Sequence, residues 1–165
     1  MKKKLIFAVF ALAIAAAGAA FFGEQTKAPE VRFATLSGES LRTSDLRGKV
    51  VLVNFWATSC VSCVKEMPKM VETYKKFAPR GYEMIAVAMS YDHPNQVAEF
   101  VAQRGLPFKV AVDGDGAIAR GFGDIRVTPT SFVIGRDGRI LKHYLGEPEW
   151  GDLHTLLEKS LGNPA

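Results

Sequence analysis

Cysteine is scarce in this chain: 165 residues hold two, Cys60 and Cys63, three positions apart. That scarcity excludes a disulfide-stapled scaffold, since a bridge within one helical turn closes too short a loop to constrain the unfolded chain much. A structural zinc site is disfavoured as well. It needs four ligands, and there is neither a second Cys-x-x-Cys nor a close pair of histidines, with His93, His143 and His154 scattered. Surplus charge is nearly as scarce. The net charge is +4, and Lys2, Lys3 and Lys4 supply three of it, leaving 18 basic against 17 acidic residues. A body so close to neutral argues against a nucleic-acid partner, which demands clustered cations. Internal repeats are absent. The segment Asp113-Gly114-Asp115-Gly116 lacks the ligand spacing and distal glutamate of a calcium loop and reads as a turn. At 48% hydrophobic and 23% charged, the composition is that of one globular domain.

What is present begins with an address. The three lysines precede an uncharged run with a strongly apolar front, LIFAVFALAI, and a small-residue back, AAAGAA. This is the pattern of a signal peptide, with an A-x-A cleavage site at Ala17-Gly18-Ala19. Leu5 to Phe22 as a helix would span about 27 Å, close to a bilayer core of about 30 Å, so a retained anchor is the second reading. Both readings put the body on the far side of the membrane from the lysines. A buried core helix is the third. No cysteine follows the run, so no lipid-bearing cysteine is expected there. Residues 1–22 are therefore read as signal peptide or anchor, 23–30 as a polar linker, and 31–165 as the folded domain.

In the body, residues 31–49 predict a small hairpin and a helical turn. VVLVNF (50–55) and YEMIAVAM (82–89) predict strands buried on both faces. Val64, Met67, Met70, Val71 and Tyr74 give 61–77 a helical period, with Pro68 as a kink. Further helices are expected over 94–104, 117–122 and 150–161, a strand over 108–112, and a hairpin of 130–134 with 140–144 around Asp137-Gly138. The order β-α-β-α-β-α-β-β-α implies an α/β fold, a mixed sheet flanked by helices.

Cys60-Val61-Ser62-Cys63 falls between the first buried strand and the helix. A cysteine delivered to a helix N-terminus meets unpaired amides and the positive end of the dipole, which favour the thiolate. The second sulfur, one turn on, is within disulfide reach. These positions assign Cys60 as attacking thiol and Cys63 as resolving thiol of a redox-active disulfide. Glu66, three residues beyond Cys63 on the same helix, is its neighbour.

The segment VLVNFWATSCVSCVKEMP (51–68) resembles the active-site segment of thioredoxins, most closely the extracytoplasmic, membrane-linked TlpA/ResA-like branch. F-W-A ahead of the cysteines, Glu66 and Pro68 after them, VTPTSFVI (127–134) and Gly146 carry the resemblance over about 31–161. It implies the thioredoxin fold with an N-terminal hairpin and a strand–helix insertion within 82–112. It implies a cis Pro129 beside the cysteines, with the Thr128 backbone free to pair with an extended substrate. It makes Glu66 the active-site acid. Trp56 is read either as a substrate contact beside the site or as a core residue. Asn54 stands where thioredoxins carry a buried Asp, Ser59 where they carry Trp, and Val61-Ser62 lacks their proline.

The resemblance further implies a protein-disulfide reductase without cofactor or metal, acting as a monomer on the periplasmic side of a bacterial inner membrane. It would draw electrons from an integral membrane protein of the DsbD or CcdA kind and serve, for example, apocytochrome c. A peroxidase on the same fold needs P-x-x-x-T-x-x-C, but Val53 and Ala57 hold the proline and threonine positions. A copper-delivery protein would suit two thiolates, but the C-x-x-x-C spacing of the Sco type is missing.

Overall fold

The computed structural model describes residues 26–162. The proposed leader, 1–22, lies outside the described residues, as do linker residues 23–25. Among the described residues no helix is long and apolar enough to cross a membrane.

Strand β3 (Val50–Trp56) and strand β4 (Tyr82–Ala88) are buried at every position and pair in parallel, in keeping with apolar runs broken only by Asn54 and Glu83. Strand β5 (Lys109–Val112) adds in parallel to β4. On the other side of β3, strands β6 (Thr130–Ile134) and β7 (Ile140–Leu145) pair antiparallel, giving the order β5-β4-β3-β6-β7. Strands β1 (Arg32–Ala34) and β2 (Ser40–Arg42) form a separate hairpin, followed by a 3₁₀ turn at Thr43–Leu46. The helices are α1 (Val61–Phe77), α2 (Pro94–Arg104), the short α3 (Ala117–Gly121) and α4 (Trp150–Leu161). The stretch 82–112, expected to carry a strand–helix insertion, holds β4, α2 and β5.

Because side chains alternate along a strand, β3 feeds two cores. Val50, Leu52 and Trp56 pack with Met67, Met70 and Phe77 of α1 and with Leu153 and Leu157 of α4. Val51, Val53 and Phe55 pack with the hairpin's Phe33, with Ile118 of α3, and with Phe122 and Phe132. Leu52 has no exposed surface. Leu52→Ala should therefore cost about 2–5 kcal/mol, read as a lower denaturant midpoint with unchanged slope.

Two details differ from the sequence reading. Residues 26–30 are not a free linker. The Ala28 amide donates to the Gly138 carbonyl (2.9 Å), the Ile140 amide donates to Thr26 (2.8 Å), and Glu30 accepts from both the amide and the hydroxyl of Ser44. Polar composition suggested a linker, but this pairing runs through backbone that composition does not report. The buried stripe of α1 is also rotated. It runs through Cys63, Glu66, Met67, Met70, Thr73 and Phe77, while Val64, Val71 and Tyr74 are only partly covered. Pro68 sits inside the helix on its exposed side.

Candidate active site

The central strand β3 ends at Trp56, and four residues later the chain enters α1. Cys60 is the N-cap of that helix, with extended backbone. The turn between them is closed by the Cys60 amide donating to the Ala57 carbonyl (3.1 Å). Cys60 and Cys63 are joined by a disulfide, with their Cα atoms 5.2 Å apart. The two sulfurs are not equivalent: Cys60 is partly exposed, whereas Cys63 is fully buried under the first turn. The Cys63 amide points at Cys60 Sγ from 3.2 Å, and Ser62 Oγ lies 3.4 Å from the same sulfur. An amide, a hydroxyl and the helix dipole thus converge where negative charge would form on Cys60.

The loop before β6 closes the site from the other side. The Thr128–Pro129 bond is cis, and the Thr128 carbonyl oxygen lies 3.6 Å from Cys60 Sγ. The Pro129 carbonyl accepts from the Gly146 amide (2.8 Å), tying this loop to the end of β7. Exposed apolar side chains stand nearby in the chain: Val61 beside Cys60, and Val127 beside Thr128.

Glu66 is fully buried. One carboxyl oxygen accepts from Asn54 Nδ2 (3.2 Å), and the same amide nitrogen donates to Ser131 Oγ (3.0 Å). The other oxygen, Oε2, has no hydrogen-bond partner, nor has Asn54 Oδ1. Burial pushes the Glu66 carboxyl up to about 8, the Asn54 hydrogen bond opposes this, and the negative charge of Glu147 adds to it. A buried acid that gains and loses its proton near neutral pH is suited to exchanging protons with a neighbouring thiol.

Five of the six sequence-assigned residues thus meet at the end of β3 or line its buried side: Cys60, Cys63, Glu66, Thr128 and Pro129. Trp56 does not join a docking face. It has no exposed surface, and its ring packs 5.2 Å from that of Phe100 on α2, so it supports the site from within the core. The histidines serve elsewhere: His93 caps α2, His143 stacks on Phe132, and His154 bonds Thr73. Asp113 accepts from the amides of Ile118 and Ala119, within the turn that its sequence suggested. Among the described residues no three His, Cys, Asp or Glu side chains gather as a metal site.

Sequence reasoning missed two residues. Ser131 underlies Asn54, and Asp92 holds Thr58 beside the cysteines. An acid just past the end of a buried parallel strand, where α/β sheets place their sites, was the available signal for Asp92.

Residues 24–159 match the Redoxin family. The chain is 35% identical to the thiol–disulfide oxidoreductase ResA of Bacillus cereus over 96% of its own length and 97% of that protein's. The solution structure of a Neisseria meningitidis protein assigned as a thioredoxin superposes with a TM-score of 0.76 at 40% identity, covering 82% of this chain and 90% of that one. A crystal structure of a thioredoxin-family thiol:disulfide interchange protein from Chlorobium tepidum gives 0.76 at 29% identity, covering 85% and 99%.

Proposed function

Because the chain belongs to the Redoxin family and is a ResA-like thiol–disulfide oxidoreductase of thioredoxin fold, we propose that it reduces protein disulfides outside the cytoplasm, with Cys60 attacking and Cys63 resolving. The observation that carries this reading is the asymmetry of the pair. One sulfur is open to a partner and lies against the Thr128 carbonyl, and the other is sealed beneath it.

The Cys60 thiolate attacks one sulfur of a partner disulfide, forming a mixed disulfide and expelling the partner's other sulfur as a thiolate. Cys63 then attacks Cys60 Sγ, closing the internal disulfide and releasing the second partner thiolate. Two electrons pass to the partner. The thiol proton of Cys63 must leave for that second attack, and Glu66 is the group proposed to take it. An extended partner segment would pair with the Thr128 backbone beside Pro129. A membrane thiol protein of the DsbD or CcdA kind would restore the two electrons, and apocytochrome c is the proposed client class. The apolar segment 5–22 is proposed to export the domain or to hold it at the periplasmic face of the inner membrane.

Cys63→Ser tests the sequence of events. This variant should accumulate partner proteins bound covalently to Cys60 and released by dithiothreitol, and their identity distinguishes apocytochromes from other clients. If the wild-type protein cycles reversibly between dithiol and disulfide yet cleaves no insulin disulfide, the proposal fails.

A further inference from the structure

We infer that Asp92 is a positioning residue for the nucleophile, acting through Thr58; this rests on the reading of Cys60 as the attacking thiol. Asp92 lies in the loop between β4 and α2, 34 positions from Thr58 in sequence. It is almost fully buried. One carboxylate oxygen accepts from the Thr58 amide and the other from the Thr58 hydroxyl, each at 2.6 Å.

This clamp grips the middle of the turn that carries Cys60. The turn has two other fixed points: the Met89 amide donates to the Trp56 carbonyl (3.0 Å), and the Cys60 amide donates to Ala57 (3.1 Å). Between them, Ser59 is exposed, and its side chain makes no hydrogen bond among the contacts described. Without Asp92, the chain from Ala57 to Cys60 would hang from its ends. Cys60 would then hold its N-cap position less firmly, and the 3.2 Å approach of the Cys63 amide to Sγ would loosen. The β4–α2 loop thereby acts on the reactive turn from the neighbouring strand.

The sign of the effect separates positioning from charge. Deleting a nearby negative charge by itself eases thiolate formation. Loss of the clamp makes it harder, because the amide and dipole stabilisation at the helix start depends on geometry. The other titratable groups on the elements meeting here stay in place in every variant. Those nearest the turn in the chain or in the site are Lys65 and Glu66 on α1, Tyr91 and His93 beside Asp92, the Asp124–Arg126 ion pair before Thr128, and Glu147 after β7.

The experiment is the pH profile of iodoacetamide alkylation at Cys60 in the reduced full-length protein. Asp92→Ala should slow alkylation about tenfold near neutral pH, equivalent to about one unit of thiol pKa, with rates converging in strongly alkaline buffer. Asp92→Asn should restore the wild-type profile within about twofold, since its carbonyl can accept from the Thr58 amide and its NH₂ can donate to the hydroxyl. Thr58→Val removes one of the two bonds without touching the acid, so it gives a smaller shift in the same direction. The double variant should be no worse than Asp92→Ala, because Asp92→Ala already removes both bonds to Thr58. An Asp92→Ala profile equal to wild type, or shifted toward faster alkylation, overturns the inference. A wild-type Cys60 that alkylates no faster than a free thiol overturns the functional reading instead.

Discussion

Cys60→Ser should reduce insulin-disulfide cleavage by about 10⁴-fold or more, to the level of buffer, while leaving the fold intact. The attacking species is a thiolate, and a serine hydroxyl is not ionised at any pH where the protein is folded. Cys60 is partly exposed at the edge of the core, so the smaller oxygen opens little space there. Cys63→Ser behaves differently, and the contrast is the informative part. The first exchange survives and the second does not, so one stoichiometric burst of partner thiolate replaces turnover. If Cys60→Ser retained activity while Cys63→Ser lost it, the roles of the two sulfurs would be exchanged. Stopped assays against insulin, with both variants at equal concentration, distinguish these outcomes.

Glu66→Gln should flatten the fall in stability of the oxidised protein between about pH 4.5 and 8. The folded state holds the Glu66 proton up to about 8, whereas an unfolded glutamate releases it near 4.5. Between those values the folded chain binds more protons than the unfolded one. Stability therefore drops as the pH rises through this window and levels off above it. The total effect is on the order of 4 kcal/mol by linkage. Glutamine keeps the shape, and its carbonyl oxygen can still accept from Asn54, without the ionisation. The variant should match wild type in acid and exceed it by several kcal/mol in mild alkali, measured by urea denaturation at each pH. In the reduced protein the same substitution should displace the pH titration of the active-site thiols. An unchanged titration would remove Glu66 from proton exchange with Cys63 while leaving its effect on stability untouched.

These residues differ in how plainly the sequence announced them. The short, β-branched apolar runs of β3 and β4 favoured buried strands, and the cysteines at the strand-to-helix junction carried their own chemistry. The helices at 61–77, 94–104 and 150–161 fall on their sequence boundaries, because Pro94 and Gly105 punctuate the second and apolar periods fix the others. The buried stripe of α1 was misread because it includes Cys63, Glu66 and Thr73, polar side chains that an apolar period cannot register. Ser131 and Asp92 escaped for a related reason. Their partners lie 77 and 34 residues away, and a single hydrogen bond across such a distance leaves no periodic trace. Glu66 was legible through family resemblance, but its unpartnered oxygen and the Asn54–Ser131 support beneath it required coordinates.

The strap formed by residues 26–28 lies at one end of the central sheet. Thr26 accepts from Ile140, Ile140 pairs with Ile134, and Ile134 pairs with Val51, so the strap is level with the start of β3. Cys60 follows the other end of that strand, about 17 Å further along at roughly 3.3 Å per residue. Thr26 and the reactive sulfur therefore stand at opposite poles of the domain, so a partner docking on Cys60 meets a face remote from the strap.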